Sequence, residues 1–315
     1  MEDWVVGIDL GATKIALGMI DPQDRIVARR RIPTLVPDGP EAAVERMAGS
    51  IAELRREVPA GGRIAAVGLC SPGPVDHAAG LLVDPPNLTG WRNVPLRQLL
   101  AERLQLPVAL EHDAKAAAMG EYTYGVGRGE RSMVYIVVGT GVGAAIIVDG
   151  QLYRGLHNAA GEVGHITIDR HAEKGSSGIC GNVESFMSGP ALAHRYQCRL
   201  AQAGAQPPGG TVSGETVAQL AGQGDDTARQ VIAEAGEALG VAIASLAMVL
   251  DIDLYVVGSS VARLGDMFLE PARRILPEYC FKSVAARVRI VPVALGDDGP
   301  LLGCGWLARQ LLRQD

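Results

Sequence analysis

The sequence has no pair of cysteines at C-x-x-C spacing. Its five cysteines, at 70, 180, 198, 280 and 304, are scattered singly. That excludes a disulfide framework and a standard zinc knuckle, and it fits a reducing cytoplasm. Basic residues are in the minority, with 29 Lys and Arg against 35 Asp and Glu and a net charge of -6. A nucleic-acid partner, which needs a basic face, is therefore not expected. The N-terminus, Met1-Glu2-Asp3-Trp4, is acidic where a secretory leader is basic. No uninterrupted apolar run reaches the ~20 residues of a membrane span. The longest, Met133 to Val148, is broken by Gly139-Thr140-Gly141-Val142-Gly143. The expectation is a soluble cytoplasmic protein with no membrane partner.

Hydrophobic residues make up 48% of the 315-residue chain and charged ones 20%. A sizeable core can be buried, and at roughly 150 residues per domain the chain holds about two domains. Trp4 to Leu10 and Ile15 to Ile20 read as buried strands about the turn Gly11-Ala12-Thr13-Lys14. Val44, Met47, Ile51 and Leu54 recur at helical spacing and predict a helix over 41–58. Ile64 to Leu69 predicts a strand, 71–94 a loop rich in Pro, Gly and Asn, and Pro95 the start of a short helix. Pro107 to Leu110 is a strand that hands over, through Glu111-His112-Asp113-Ala114-Lys115, to an alanine-rich helix ended by Gly125.

Further strands are expected at Met133–Val138 and Ala144–Val148, followed by a loop-rich region over 150–183. A helix starts near Glu184, and Ser188-Gly189-Pro190 kinks or restarts it. Residues 202–214 read as a surface connection. Asp225-Asp226 caps a long helix to Leu250 whose second half is apolar all round and so is buried. A strand at 254–257, a helix at 266–276, a strand at 288–293 and a C-terminal helix over 300–312 complete the pattern.

The run from Ile8 through Gly11 to Ile20-Asp21 is echoed, at one constant offset, by Ile136 through Gly139 to Val148-Asp149. A repeated strand, glycine turn, strand unit suggests two similar α/β domains, and a cleft between such domains is the default place for a ligand. Glycine turns expose backbone N–H groups that hold phosphate oxygens, although a tight hairpin uses the same glycines. There is no G-x-x-x-x-G-K-[ST], which excludes a P-loop. The glycine spacing at 139–143, followed by a β-type run, excludes a Rossmann fingerprint. A strand–turn–strand phosphate grip remains. Lys14 either offsets phosphate charge there or is a solvated lysine. Asp113 stands at the expected N-cap, where an isolated aspartate is most often a cap alone. Beside two glycine turns and the Glu162-x-x-His165 pair, it is assigned as a general base facing a phosphate donor.

Six motifs occur in order: Asp9-Leu10-Gly11-Ala12-Thr13-Lys14, Ser71-Pro72-Gly73-Pro74-Val75-Asp76, Asn87-Leu88-Thr89-Gly90-Trp91, Glu111-His112-Asp113-Ala114, Gly139-Thr140-Gly141-Val142-Gly143 and Gly161-Glu162-Val163-Gly164-His165. In this order they resemble the ROK sugar kinases, and the likeness extends through Glu184 to Asp297-Asp298. The resemblance implies a two-domain actin-like, hexokinase-like (ribonuclease H-like) α/β fold with an interdomain cleft. The smaller domain is expected over 1–114 plus the C-terminal helix at 300–315, and the larger over 115–299. It implies ATP and Mg²⁺, with Asp113 taking the proton of a sugar 6-hydroxyl as it attacks the γ-phosphate. Asn87, His112, Glu162, His165 and Glu184 would bind the sugar. Asp9, Gly11, Thr13, Lys14, Gly139, Thr140, Gly141, Gly258 and Ser259 would hold the nucleotide. A homodimer or homotetramer is expected.

The chain departs from the family pattern at three places. The family zinc motif C-x-C-G-x-x-G-C-x-E, read back from Glu184, puts Gly175, Ser177 and Asn182 at its cysteine positions, with Cys180 off the pattern. Zinc needs four ligands, so a structural zinc is expected to be absent, even as a site built from His165, His171 and Cys180. His112 replaces the usual Asn before the catalytic Asp, which opens the sugar preference. Lys115 also replaces an Asn and is expected near Glu111 or the phosphates. Gly258-Ser259-Ser260 replaces Gly-Gly-Gly at the nucleotide turn. Glucose is the first substrate expected, with amino sugars, N-acetylmannosamine or cyclitols as alternatives. A ROK repressor is disfavoured because Asp9 lies too near the start of the chain to leave room for a helix-turn-helix. A non-catalytic sugar sensor is disfavoured by Asp113.

Overall fold

The computed structural model describes residues 2–175, 177–206, 211–258 and 260–313. The chain forms two compact units: Met1–Gly129 with Arg154–Asn158 and Ala294–Asp315, and Glu130–Tyr153 with Ala159–Val293.

The first unit runs β1 (Glu2–Leu10), β2 (Lys14–Ile20), β3 (Ile26–Pro33), α1 (Pro40–Arg55) and β4 (Gly62–Ser71). A small hairpin of β5 (Val75–Asp76) and β6 (Leu81–Leu82) follows, then α2 (Leu96–Leu104), β7 (Val108–His112) and α3 (Asp113–Tyr124). The C-terminal helix, Asp298–Leu312, closes the unit. The sheet order is β3-β2-β1-β4-β7. β1 pairs antiparallel with β2 and parallel with β4, and β4 pairs parallel with β7. Side chains alternate across a strand. Val6, Ile8 and Leu10 therefore pack with Val44, Met47, Ile51 and Leu54 of α1 on one face. On the other face Val5 meets Leu302 and Ala308 of the C-terminal helix. Covering both faces is why β1 reads as an unbroken apolar run. The C-terminal helix lies so close that a Cβ on Gly68 would stand 1.8 Å from the Cys304 carbonyl oxygen, and one on Gly7 2.1 Å from that of Leu301.

The second unit comprises β8 (Met133–Val138), β9 (Val142–Val148), β10 (Gln151–Tyr153), α4 (Glu184–Met187), α5 (Gly189–Gln202), α6 (Gly214–Gln223) and α7 (Asp226–Leu250). It continues through β11 (Leu254–Gly258), α8 (Asp266–Tyr279), α9 (Lys282–Ala285) and β12 (Arg289–Pro292). Its sheet order, β10-β9-β8-β11-β12, repeats the pairing of the first: antiparallel β8–β9, parallel β8–β11 and β11–β12. The echo between the two glycine-turn runs is thus the leading hairpin of each sheet. α7 is long and apolar enough to pass for a membrane span by length and composition, but its most apolar stretch is mostly buried inside the unit. Val231, Ile232, Leu239 and Ile243 form the core of the unit with Phe268, Leu269 and Leu276 of α8.

The short β5, β6, β10 and α9 escape the sequence pattern, and so do two longer elements, β3 and α6. β3 is an edge strand whose residues alternate in exposure, and its Arg29-Arg30-Arg31 run hides it behind charge while guarding an open edge. α6 is composed mainly of Gly, Ala, Gln and Thr, and what marks it is the Ser213/Thr216 capping box with Val217 and Ala221 buried. One expectation is corrected. Asp113 is the first helical residue of α3, and His112 is the cap, its Nδ1 accepting from Ala114 N–H. The extended backbone of His112 aims its ring at the first turn as a capping carboxylate would be aimed. α3 packs along the C-terminal helix, with Gly303 against Ala116 and Gly120 against Gly299. The first unit carries α3 and runs to Gly129.

Candidate active site

In the first unit, Asp9 lies next to the end of β1 and the chain turns with Gly11 N–H donating to Lys14 O at 3.0 Å. Thr34 closes the turn from just past β3, its Oγ1 donating to Gly11 O at 2.6 Å and its N–H to Thr13 O at 3.1 Å. Thr13 and Lys14 are exposed at the tip. Burial pushes the Asp9 carboxyl above its ordinary range, and the charges of Asp113 and Asp297 push it the same way. A hydrogen bond from Cys70 and the charge of Lys14 act against the rise; the Cys70 thiol lies 3.5 Å from Asp9 Oδ1. Three carboxylates therefore share one neighbourhood. Asp297 carries no assigned role in the motif pattern, because it stands near the opposite end of the chain from Asp9 and the fold joins them.

Asp113 follows the cap residue and is anchored at the helix start. Its Oδ1 accepts from Ala114 N–H at 2.6 Å and stands 3.0 Å from His112 Nδ1, while its side chain is 43% exposed. A carboxylate held by one oxygen at a helix N-terminus is steered and still open to a substrate hydroxyl. The strand before it is fixed by Glu111, whose side chain is fully buried. Glu111 Oε1 accepts from His112 N–H at 3.0 Å. Its Oε2 accepts from Arg154 Nε at 2.9 Å and Nη2 at 2.7 Å, with His77 Nδ1 at 3.4 Å. Lys115, expected near Glu111 or the phosphates, donates to Asn158 O at 2.7 Å and Oδ1 at 2.8 Å. Asn158 in turn donates to Val75 O. Asn87 is exposed in its loop, next to the fully buried Leu88 and near the buried Trp91.

In the second unit the turn Gly139–Gly141 is closed by Gly139 N–H to Gly141 O at 2.9 Å, and Gly189 N–H donates to Gly139 O at 2.8 Å. Glu184, expected beside the sugar, has its Oε2 at 2.9 Å from Val142 N–H and packs against Gly141, so it braces this turn. The Gly-x-x-Gly spacing of 161–164 lays the backbone flat on β9. A Cβ on Gly161 would stand 2.0 Å from Ala144 O, and one on Gly164 2.2 Å from Val142 O. Glu162 and His165 flank a 3-10 turn with Nε2 and Oε2 4.0 Å apart, beyond hydrogen-bond range. His165 Nδ1 is buried with no partner among the described residues. Gly258 ends β11, where a Cβ would meet the Tyr135 hydroxyl at 2.5 Å. Ser259 lies outside the described residues.

Residues at the family's zinc positions do not form a ligand set. Gly175 brings no donor, while Ser177 and Asn182 hydrogen-bond each other at 3.1 Å. His171 Nε2 accepts from Arg170 Nε. Among the described residues no group of three His, Cys, Asp or Glu could hold a metal ion.

The ROK family model matches residues 5–311. The chain belongs to the ROK family. A glucokinase of Streptomyces coelicolor is 32% identical over 320 residues, 97% of each chain. An N-acetylmannosamine kinase of Salmonella typhi is 33% identical over 308 residues, 96% of this chain and 98% of that one. Among solved structures, the ROK family glucokinase of Streptomyces griseus in complex with glucose and AMPPNP superposes with a TM-score of 0.79 at 30% identity. The match covers 98% of this chain and 99% of that one. This ROK protein therefore has the hexokinase-like two-domain α/β fold, and its two repeated sheets are that fold's signature.

Proposed function

We propose that this ROK protein is an ATP-dependent sugar kinase acting at the 6-hydroxyl of a hexose, with glucose the first candidate. The observation that supports it is the Asp113 carboxylate, anchored through one oxygen at the start of α3 beside Asp9 and the 11–14 turn. Asp113 accepts the 6-hydroxyl proton as that oxygen attacks the γ-phosphorus. The bond from the γ-phosphorus to the bridging oxygen breaks, and ADP leaves with the electron pair. The N–H groups of the turns at Gly11–Lys14 and Gly139–Gly141 receive phosphate oxygens. Asp9 and Asp297, which share a neighbourhood with Asp113, would be the carboxylates offered to Mg²⁺, which would neutralise phosphate charge. Asn87, His112, Glu162, His165 and Glu184 recognise the sugar. Gly258 and Ser259 line the nucleotide side.

A second sugar, N-acetylmannosamine or another amino sugar, is favoured by His112. Its Cδ2 lies only 2.4 Å from where a Gly73 Cβ would stand. The Cδ2–Nε2 edge of the imidazole therefore lies against Gly73, with a reach unlike an amide's. The test is ADP release with Mg-ATP across hexoses, amino sugars and cyclitols, beside Asp113→Asn. The variant is expected to lose ~10²–10⁴ in kcat with sugar binding retained. Turnover of an amino sugar alone would keep the chemistry and move the preference to His112. Sugar binding with no turnover would make the protein a sensor and end the kinase reading.

A further inference from the structure

Residues 166–183 join the 3-10 turn of His165 to the start of α4 at Glu184, and their described part contains isolated bridges but no strand or helix of two or more turns. Main-chain hydrogen bonds tie the two ends of the loop. Val183 N–H donates to Ile166 O at 2.9 Å, and Ile168 N–H to Gly181 O at 2.9 Å. Inside lies Asn182, a polar side chain with no solvent exposure. Its Nδ2 donates to Ser177 Oγ at 3.1 Å, and its Oδ1 accepts from Ser185 N–H at 3.3 Å. Its carbonyl accepts from Ser185 Oγ at 2.7 Å. The backbone closes onto the amide, since a Cβ on Gly175 would stand 2.5 Å from Asn182 Oδ1. A buried amide is tolerated when both its donor and acceptor ends are used, and it then selects one arrangement of its surroundings.

The position of this amide gives it reach over two assigned residues. It is two residues before Glu184, which braces the 139–141 turn through Val142 N–H. The backbone of the same residue bridges that of Thr167, two residues after His165. We propose that Asn182 is a positioning residue that clamps the 165–184 loop without a metal and so sets Glu184 and His165 for the sugar. This rests on the sugar-kinase reading above. Asn182 itself touches no reacting atom in that scheme. Truncating it takes the amide donor from Ser177 Oγ and leaves Ser185 N–H only its 3.0 Å bond to Asn182 O, so the 175–185 limb of the loop loosens under its main-chain ties.

The experiment compares full-length Asn182→Ala, Ser177→Ala and Ser177→Thr with wild type by steady-state kinetics and by backbone amide exchange, before and after chelator treatment. Asn182→Ala is expected to lower kcat/KM for the hexose by about tenfold to a hundredfold, mostly through KM, with KM for ATP unmoved. Exchange at Ile168, Gly181 and Val183 should quicken while the β8, β11 and α7 core stays protected. Ser177→Ala should move the same way by less, and Ser177→Thr, which keeps the hydroxyl, should behave as wild type. A folded Asn182→Ala with an unchanged hexose KM would overturn the proposal, as would KM for hexose and ATP rising together with core protection lost. If Asn182→Ala does not fold, the exposed Ser177 decides: identical constants for Ala and Thr would overturn it. Exchange in the loop that quickens on chelation alone would overturn the metal-free clamp. A wild type that turns over no sugar defeats the kinase reading, and the exchange comparison then judges the clamp by itself.

Discussion

Replacing Arg154 by Met strands a charge. Glu111 has a side chain of zero exposure, and its Oε2 accepts from both Nε and Nη2 of an Arg154 side chain that is 30% exposed. Removing one partner of a buried ion pair costs about 3–5 kcal/mol, because the survivor keeps its desolvation cost and loses its compensation. The His112 N–H at 3.0 Å and the His77 imidazole at 3.4 Å stay near the carboxylate, which places the loss near the lower end, about 3 kcal/mol. At roughly 2–4 °C per kcal/mol, Arg154→Met should lower the Tm by roughly 6–12 °C. Glu111→Gln added to it removes the stranded charge and should recover most of the loss. The double-mutant cycle by thermal unfolding should therefore return a coupling above about 1 kcal/mol. A loss under about 1 kcal/mol for Arg154→Met, or a double mutant no more stable than the single, would refute the claim that this pair holds the strand leading to Asp113.

Asp9→Asn should stabilise the protein while destroying turnover. The folded Asp9 carboxyl is raised by burial and by Asp113, so its ionised form is disfavoured in the native state. Its stabilising contribution is full below the ordinary carboxylate range and is lost as pH rises through the raised value. The Tm advantage of Asp9→Asn should accordingly be absent near pH 3, grow above it and persist at pH 7; an advantage that shrank with pH would reverse the sign of the argument. Gly68→Ala would put a methyl 1.8 Å from the Cys304 carbonyl oxygen, a backbone collision that overpacking data put at about 1–3 kcal/mol. Urea unfolding of that variant should show the loss, and an unchanged midpoint would mean the C-terminal helix is not seated on β4 as described.

Much of this protein is legible one window at a time. Alternation and caps are local, so β1, β2, β8, β9, α1 and α7 follow from short runs of the chain. The echo of Ile8–Asp21 in Ile136–Asp149 already implied two like sheets, and the motif order carried Asp9, Asp113, Glu162, His165 and Glu184. Local signals fail where the surroundings decide. β3 alternates in exposure without a buried residue because it is an edge, and α6 is helical because a capping box and two buried side chains outweigh a weak composition. His112 and Asp113 both suit a cap, and only the backbone angle at 112 chose between them.

The order of residues sets which chemistry is available: the carboxylates, the two glycine turns, and the absence of cysteine at 175, 177 and 182. What holds each group depends on packing. Arg154 reaches Glu111 across 43 residues and Asn158 reaches Val75 across 83, while Asp297 joins Asp9 from the far end of the chain. Packing also gave Glu184 to the 139–141 turn and Lys115 to Asn158. Pairings of this kind leave no periodicity or spacing in the chain. They are set by which surfaces the packed sheets and helices bring within about 3 Å, and by the high cost of leaving a buried polar group without a partner.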